Sequence, residues 1–259
     1  MVTGSADYVG GVVGCYPDYR YSDEGSNIDG CINSGSITGN GNYVGGIAGC
    51  RGDSKSWIPL FGSNKNTGDV TGNEYTGGII GEGHCDGCEN SGKVTGTSDV
   101  GGIVGSSSPN WGYDLNDNVN TGEVTGGAVV GGICGWGSPL NCINRGKVTG
   151  GKGVGGIAGS GYRNVKNCEN YGAVKSTDTG GDTYIGGIVG SCSTRGMHDG
   201  LVEGCTNYGT VEGYRRVGGI AGECNVKNCN NYGQITGLMD VGGIVAVLGG
   251  LADRKSGSA

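Results

Sequence analysis

An all-β solenoid is the fold class this sequence predicts, on three observations. Two short phrases alternate along the chain, glycine is too abundant for helix, and β-branched residues recur at fixed places in each repeat. The first phrase, V-G-G-I-x-G, has its leading glycine at Gly10, Gly45, Gly77, Gly101, Gly131, Gly155, Gly186, Gly218 and Gly242. The second, C-x-N-x-G-x-V-T-G, has its central glycine at Gly35, Gly68, Gly92, Gly122, Gly146, Gly172, Gly209 and Gly233. The shortest full repeat is 24 residues, as at Gly68→Gly92 and Gly122→Gly146. Coils stacked at the ~4.8 Å inter-strand spacing, about eight of them, would make a rod roughly 40 Å long.

Each phrase reads as a short strand. In G-x-V-T-G a β-branched residue sits between polar ones, and Asn-x-Gly before it is turn chemistry. In V-G-G-I-x-G the small residues between Val and Ile imply close backbone approach, where a Cβ would not fit. Helix fails because each of the four or more glycines per unit costs ~1 kcal/mol relative to alanine. Stacking then predicts ladders. Val or Ile at 37, 70, 94, 124, 148, 174, 211 and 235 should form an inward column. The asparagines from Asn33 through Asn90 to Asn231 should form a second, bonding along the axis or capping turns, and Tyr171, Tyr208 and Tyr232 an aromatic stripe. The spacing from the second phrase to the next first phrase is almost constant, so insertions gather at one corner, after V-G-G-I-x-G. An insertion at Lys175–Thr183 is the exception.

Glycine accounts for 63 of 259 residues without collagen's period of three, and phenylalanine occurs once. The interior is therefore expected to be thin and aliphatic. The formal charge is −7 with scattered lysines and arginines, which argues against nucleic acid and anionic membrane surfaces as partners. No apolar run approaches the ~20 residues of a spanning helix. Residues 1–247 read as one repeat array that opens on the V-T-G tail of a second phrase, as a segment of a longer array would. Residues 248–259 carry no repeat signal and read as a tail or linker.

The two phrases resemble the GLUG-motif repeats of bacterial surface proteins, in which a G-G-[ILV]-x-G strand alternates with an N-x-G-x-[IV] segment. The resemblance spans Val2 to about Val247. It implies an extracellular, cell-wall or secreted setting, in a family that includes zinc peptidases acting on immunoglobulin A1. The carry-over stops before catalysis. Those enzymes use H-E-x-x-H, and the two histidines here, His84 and His198, are followed by Cys85 and Asp199.

Twelve cysteines without zinc-ribbon spacing also point to an oxidising compartment. They fall just after the first phrase or at the opening of the second, so bridges within each unit are expected: Cys15–Cys31, Cys85–Cys88, Cys134–Cys142, Cys192–Cys205 and Cys224–Cys229. Cys50 and Cys168 are left over. Cys85-Asp86-Gly87-Cys88 beside His84 also admits a redox pair or a zinc site, but a thioredoxin-type unit and further spaced ligands are both missing.

The corner loops hold the remaining candidates for partner binding: Tyr16, Tyr19, Tyr21, Trp57, Trp111, Tyr113 and Trp136, with Arg51-Gly52-Asp53 as an integrin-type tripeptide. Asp114-Leu115-Asn116-Asp117-Asn118 alternates oxygen side chains but lacks an EF-hand's glycine and distal glutamate, and Asp18, Asp23 and Glu24 form a second weak calcium candidate. A threonine column, Thr38, Thr71, Thr95, Thr125, Thr149 and Thr236, raises ice binding, but Lys175 and Glu212 interrupt it. No catalytic, cofactor or metal residue is nominated. The expected function is a non-catalytic structural or adhesive segment of an extracellular bacterial surface protein. It would present corner loops to a host or bacterial protein or glycan, or stack end to end. The alternative is a parallel β-helix that binds or cleaves polysaccharide, which would need paired carboxylates in a groove.

Overall fold

The chain winds into a parallel β-solenoid. The computed structural model describes residues 1–16, 28–51, 61–107, 114–192 and 200–248. Within these there is no helix, and every strand pairing is parallel. One coil can be followed from Val94–Thr95 through Ser98–Gly101, Val104–Ser106, Leu115–Asn116 and Val119–Asn120 to Val124–Thr125, which lies directly over its start.

Stacking these strands makes the faces of the rod. The V-T face has nine strands, from Val2–Gly4 to Ile235–Thr236, and the V-G face nine, from Val9–Gly10 to Met239–Gly242. The asparagine face has eight, from Ile32–Asn33 to Asn230–Asn231. A thirteen-stranded sheet carries the strands that follow V-G-G together with those that close the corner, the two sets joined through Ala221–Lys227.

The first phrase is two strands, not one. Val100-Gly101 pairs on one face, the chain bends at Gly102-Ile103, and Val104–Ser106 pairs on the next. The bend explains the glycine pair. A Cβ on Gly101 would overlap the carbonyl oxygen of Val104 across the bend. One on Gly102 would overlap the Gly132 carbonyl and the amide of Asn120 in the next coil.

The interior is as thin and aliphatic as composition implied. Val94, Val124, Val148, Val174 and Val211 form the expected column and pack against Val100, Val130, Val154, Ile185 and Val217 of the V-G face. A second cluster joins the bend isoleucines, among them Ile79, Ile103 and Ile133, to the cysteines. Each such side chain, fully removed from water, contributes about 1.5–3 kcal/mol, the term that offsets the glycine entropy.

Between the clusters runs the asparagine ladder. Asn90 Nδ2 donates to Asn120 Oδ1 at 2.9 Å, Asn120 to Asn144 at 2.9 Å, and Asn144 to Asn170 at 2.9 Å. The other Nδ2 proton goes to a carbonyl two residues on, as from Asn120 to Gly122 at 2.9 Å. Axial bonding and turn capping are thus done by the same amide. Outside, the threonines stack in register from Thr3 to Thr149. They then give way to Lys175 opposite Glu212, whose Nζ–Oε1 distance is 2.8 Å.

Candidate interaction surface and the cysteine columns

The variable segments leave from one place. Tyr16 lies in register with Arg51, and Cys50, Glu82, Ser106, Trp136, Ser160 and Ser191 are successive partners one residue earlier. The strands that precede residues 17–27, 52–60, 108–113 and 193–199 in the sequence therefore end at the same corner. Most sequence-nominated binding residues lie outside the described residues: Tyr19, Tyr21, Gly52, Asp53, Trp57, Trp111 and Tyr113, and the side chains of Tyr16 and Arg51. Asp18, Asp23 and Glu24 lie outside them too.

Trp136 is described. It meets Tyr162 of the next coil edge-on, with ring centroids 5.3 Å apart, and the Arg163 guanidinium lies 5.7 Å from the Tyr162 ring. This is a half-exposed aromatic–cation cluster on the loop-bearing corner. Such groups anchor interfaces because they combine apolar area with polar tips.

Two tyrosine columns add exposed aromatic surface. Tyr171, Tyr208 and Tyr232 stack as expected, with centroids 4.7 and 5.4 Å apart, and Arg145 covers the far face of Tyr171 at 4.5 Å. A hydrogen bond to Glu169 raises the Tyr171 hydroxyl above its ordinary pKa. The second column, Tyr8, Tyr43 and Tyr75, with centroids 5.0 and 4.8 Å apart, was missed. Its signal was a tyrosine just before the first phrase in three successive units.

The oxygen side chains of residues 114–118 do not converge. Asn118 is fully buried, accepting from Cys88 N–H at 2.9 Å and donating to the Cys85 carbonyl at 2.9 Å. Asn116 bonds Asp86 through its backbone N–H at 2.7 Å. His84 Nε2 also faces Asp86, at 3.2 Å. Burial pushes the Asp86 carboxyl up, but the hydrogen bonds from His84 and Asn116 outweigh it and hold the group below its ordinary range.

The cysteines require a correction. They occupy five register positions, not two, with Cys85 alone at the one it shares with Phe61. Cys15 opposes Cys50, and their side chains lie outside the described residues. Cys134 is an inward residue opposite Val104 and Ala158. Cys192 and Cys224, one residue beyond the position of Cys15, are bonded to each other with Cα atoms 5.0 Å apart. The bridge runs along the axis between coils, so the expected Cys192–Cys205 and Cys224–Cys229 pairs are not formed. Cys31, Cys85, Cys88, Cys134 and Cys142 are unbridged thiols, so their expected pairings are absent too, and Cys168 is a buried thiol as well.

The physical reason lies in the cysteine that opens the second phrase. Its backbone N–H points along the axis and its sulfur does the work of an amide. Cys142 N–H donates to Cys168 Sγ at 3.4 Å, as Cys31 N–H does to Asn64 Oδ1 at 2.9 Å. Cys142 Sγ in turn contacts the Leu115 carbonyl at 3.1 Å, where Asn64 reaches that of Ile28 at 2.8 Å. Cys31, Asn64, Cys88, Asn118, Cys142, Cys168, Cys205 and Cys229 thus form one mixed column turned toward neighbouring coils. The residue before each takes a left-handed conformation, at Ser63, Asp117, Asn141, Asn167 and Asn228 among non-glycines and at Gly30, Gly87 and Gly204. Glycine and short polar residues tolerate that conformation best. Cys85, fully buried, is held as a thiol: burial raises its pKa well above the ordinary value, and a hydrogen bond to Cys88 adds to this.

No known protein family, no curated protein and no solved structure matches this chain.

Proposed function

We propose that this chain is a non-catalytic structural or adhesive repeat segment of an extracellular bacterial surface protein, of the GLUG-repeat kind. Its variable corner loops would engage a protein or glycan partner. One observation carries the reading: the strands that precede sequence segments of different length and composition end in register at the same corner of the rod. A scaffold that holds backbone geometry constant while its loops vary is suited to display. The Trp136–Tyr162–Arg163 cluster supplies anchors on that corner. The axial Cys192–Cys224 bond suits an oxidising compartment.

End-to-end stacking is the second part of the proposal. In the last described coil Val241, Ile244 and Leu248 are exposed, whereas Val217 and Ile220 at the first two of these positions are buried. That surface is the one on which a further coil would pack.

The deciding experiment is an array of glycans and host surface proteins, read beside hydrolysis and lyase assays on the same polysaccharides. Binding lost in Trp136→Ala or Trp57→Ala with an unchanged melting curve supports adhesion. Turnover of a glycan that survives replacement of the loop aromatics but disappears with one acidic residue would replace this reading with an enzyme. No binding, together with concentration-dependent filament growth, would make self-assembly the primary role.

A further inference from the structure

The mixed column contains an uninterrupted run of thiols. Asn64 and Asn118 isolate Cys31 and Cys88 from axial sulfur neighbours, but Cys142, Cys168, Cys205 and Cys229 follow one another in four successive coils. Their strands are in register: Ile143 opposes Glu169, Glu169 opposes Thr206, and Thr206 opposes Asn230. Neighbouring Cα atoms therefore sit at about the 4.7–4.9 Å strand spacing, inside the ~4.4–6.8 Å range that disulfides span. The same axial relation is already bonded elsewhere in the molecule, at Cys192 and Cys224, across a Cα separation of 5.0 Å. Each sulfur is also turned toward its axial neighbour: Cys142 N–H donates to Cys168 Sγ and Cys168 N–H to Cys205 Sγ, both at 3.4 Å.

We propose that this run is a disulfide modification site that closes in pairs, Cys142–Cys168 and Cys205–Cys229, stapling each pair of adjacent coils. A run of four has only one complete nearest-neighbour pairing. The alternative central bond, Cys168–Cys205, would strand Cys142 and Cys229 three coils apart. Each bridge forms by two exchanges with a small-molecule disulfide. One cysteine thiolate attacks it and releases a thiol. The neighbouring thiolate then attacks the mixed disulfide and releases a second. Two cysteines are oxidised, the small disulfide is reduced, and the two cysteine protons leave on the released thiols. Cys229 is only partly buried and offers the point of entry, whereas Cys142 and Cys168 are fully buried and would pair as the coils assemble. The inference does not depend on what the corner loops bind.

The test refolds the full chain from reduced denaturant in oxidised and reduced glutathione, so that access to buried sulfur is not limiting. Remaining thiols are trapped with N-ethylmaleimide under denaturing conditions and the digest is mapped without reduction. Joined Cys142–Cys168 and Cys205–Cys229 peptides are expected, with an upward shift in thermal midpoint that dithiothreitol reverses. Maleimide on all four sulfurs of refolded protein, a Cys168–Cys205 peptide, or bridges within one coil such as Cys134–Cys142 would each overturn the proposal. Cys168→Asn provides a variant that the column already accommodates at Asn64 and Asn118. It should fold, leave Cys142 fully alkylated, and retain Cys205–Cys229. Cys142 bridged to any other cysteine in that variant would show the assigned pairing to be wrong.

Discussion

Two interior columns run side by side, two residues apart in every coil, and they differ in how strictly they choose their residue. One is asparagine in every coil from Asn33 to Asn231. The other alternates cysteine with Asn64 and Asn118. The demands explain the difference. In the first column each side chain must donate two protons, to the next asparagine and to a carbonyl two residues on, while its oxygen accepts from the asparagine before it. Among uncharged side chains of this length only asparagine has that inventory. In the second column one acceptor for an axial N–H and one donor for a carbonyl suffice, which a thiol meets weakly and an amide well.

The largest expected effect tests the packing that holds the strict column. Gly102→Ala drives a methyl group into the Gly132 carbonyl and into the Asn120 amide, which ladder bonds hold in place. A loss of about 4 kcal/mol or more is expected in urea denaturation, above the ~1–3 kcal/mol that overpacking usually costs, because backbone blocks the new methyl group. Gly180→Ala, with open space around it, should change stability by less than about 0.5 kcal/mol. Equal effects at the two sites would remove the steric account of the glycine pair.

Next comes the ladder itself. Asn120→Ala strips one partner from each of two buried amides and leaves the Gly122 carbonyl unmet, at an expected cost of about 2–4 kcal/mol. The comparison between columns sharpens here. Asn120→Cys should cost nearly as much as the alanine, because a thiol cannot make both donations. Asn118→Cys and Cys168→Asn, each compared with the parent under reducing conditions, should cost less than about 1.5 kcal/mol, within the range of a single exchanged hydrogen bond. A tolerant Asn120 or an intolerant Asn118 would mean that donor count does not set the choice.

The solenoid, the valine column, the asparagine ladder and the Tyr171 stack were legible because each depends on a residue recurring at one place in the phrase. What was not legible depends on which residues lie one coil apart. Cys192 and Cys224 are 32 residues apart, while Cys192 and Cys205 look paired only because they share a unit. Variable corner lengths hide axial distance from anyone counting along the chain. The asparagines at 64 and 118 were the available clue, since an amide replacing a cysteine in two units argues for contacts along the axis rather than bridging within a unit. The bend within V-G-G-I-x-G was hidden for another reason: a β-branched residue on each side of two glycines reads equally as one strand or as two meeting at a corner.

A smaller effect is expected at the margin of the mixed column, at Asp86. Its carboxylate receives the Asn116 N–H and faces His84, and its pKa is depressed in the folded chain. A depressed carboxylate stabilises the fold above its unfolded pKa, and that contribution is lost as pH falls through the folded value. Acidification below the ordinary carboxylate range should therefore raise hydrogen exchange at the Asn116 amide before the Val94–Val124 interior responds. Asp86→Asn should flatten that pH dependence. Exchange at Asn116 that is independent of pH once the intrinsic rate is divided out, in the unmutated chain, would show that the carboxylate does not hold this corner.

The smallest effect belongs to the outer surface, where the interior's strictness has no counterpart. Lys175 and Glu212 replace two threonines of the V-T face and pair at 2.8 Å, with side chains 45% and 56% exposed. An exposed pair is worth about 0–1 kcal/mol and is screened by salt. Replacing both, Lys175→Thr with Glu212→Thr, restores an unbroken threonine column from residue 3 to Thr236 and exchanges this weak attraction for β-branched packing on a half-exposed strand. The double variant should fall within about 0.5 kcal/mol of the parent at moderate salt, while either single variant leaves one charge unmatched and sits slightly lower. Thermal melts at low and high ionic strength separate the contributions, since only the parent should lose stability as salt rises. A double variant destabilised as much as Asn120→Ala would place the outer column under the same constraint as the ladder, and the contrast between a strict interior and a permissive surface would fail.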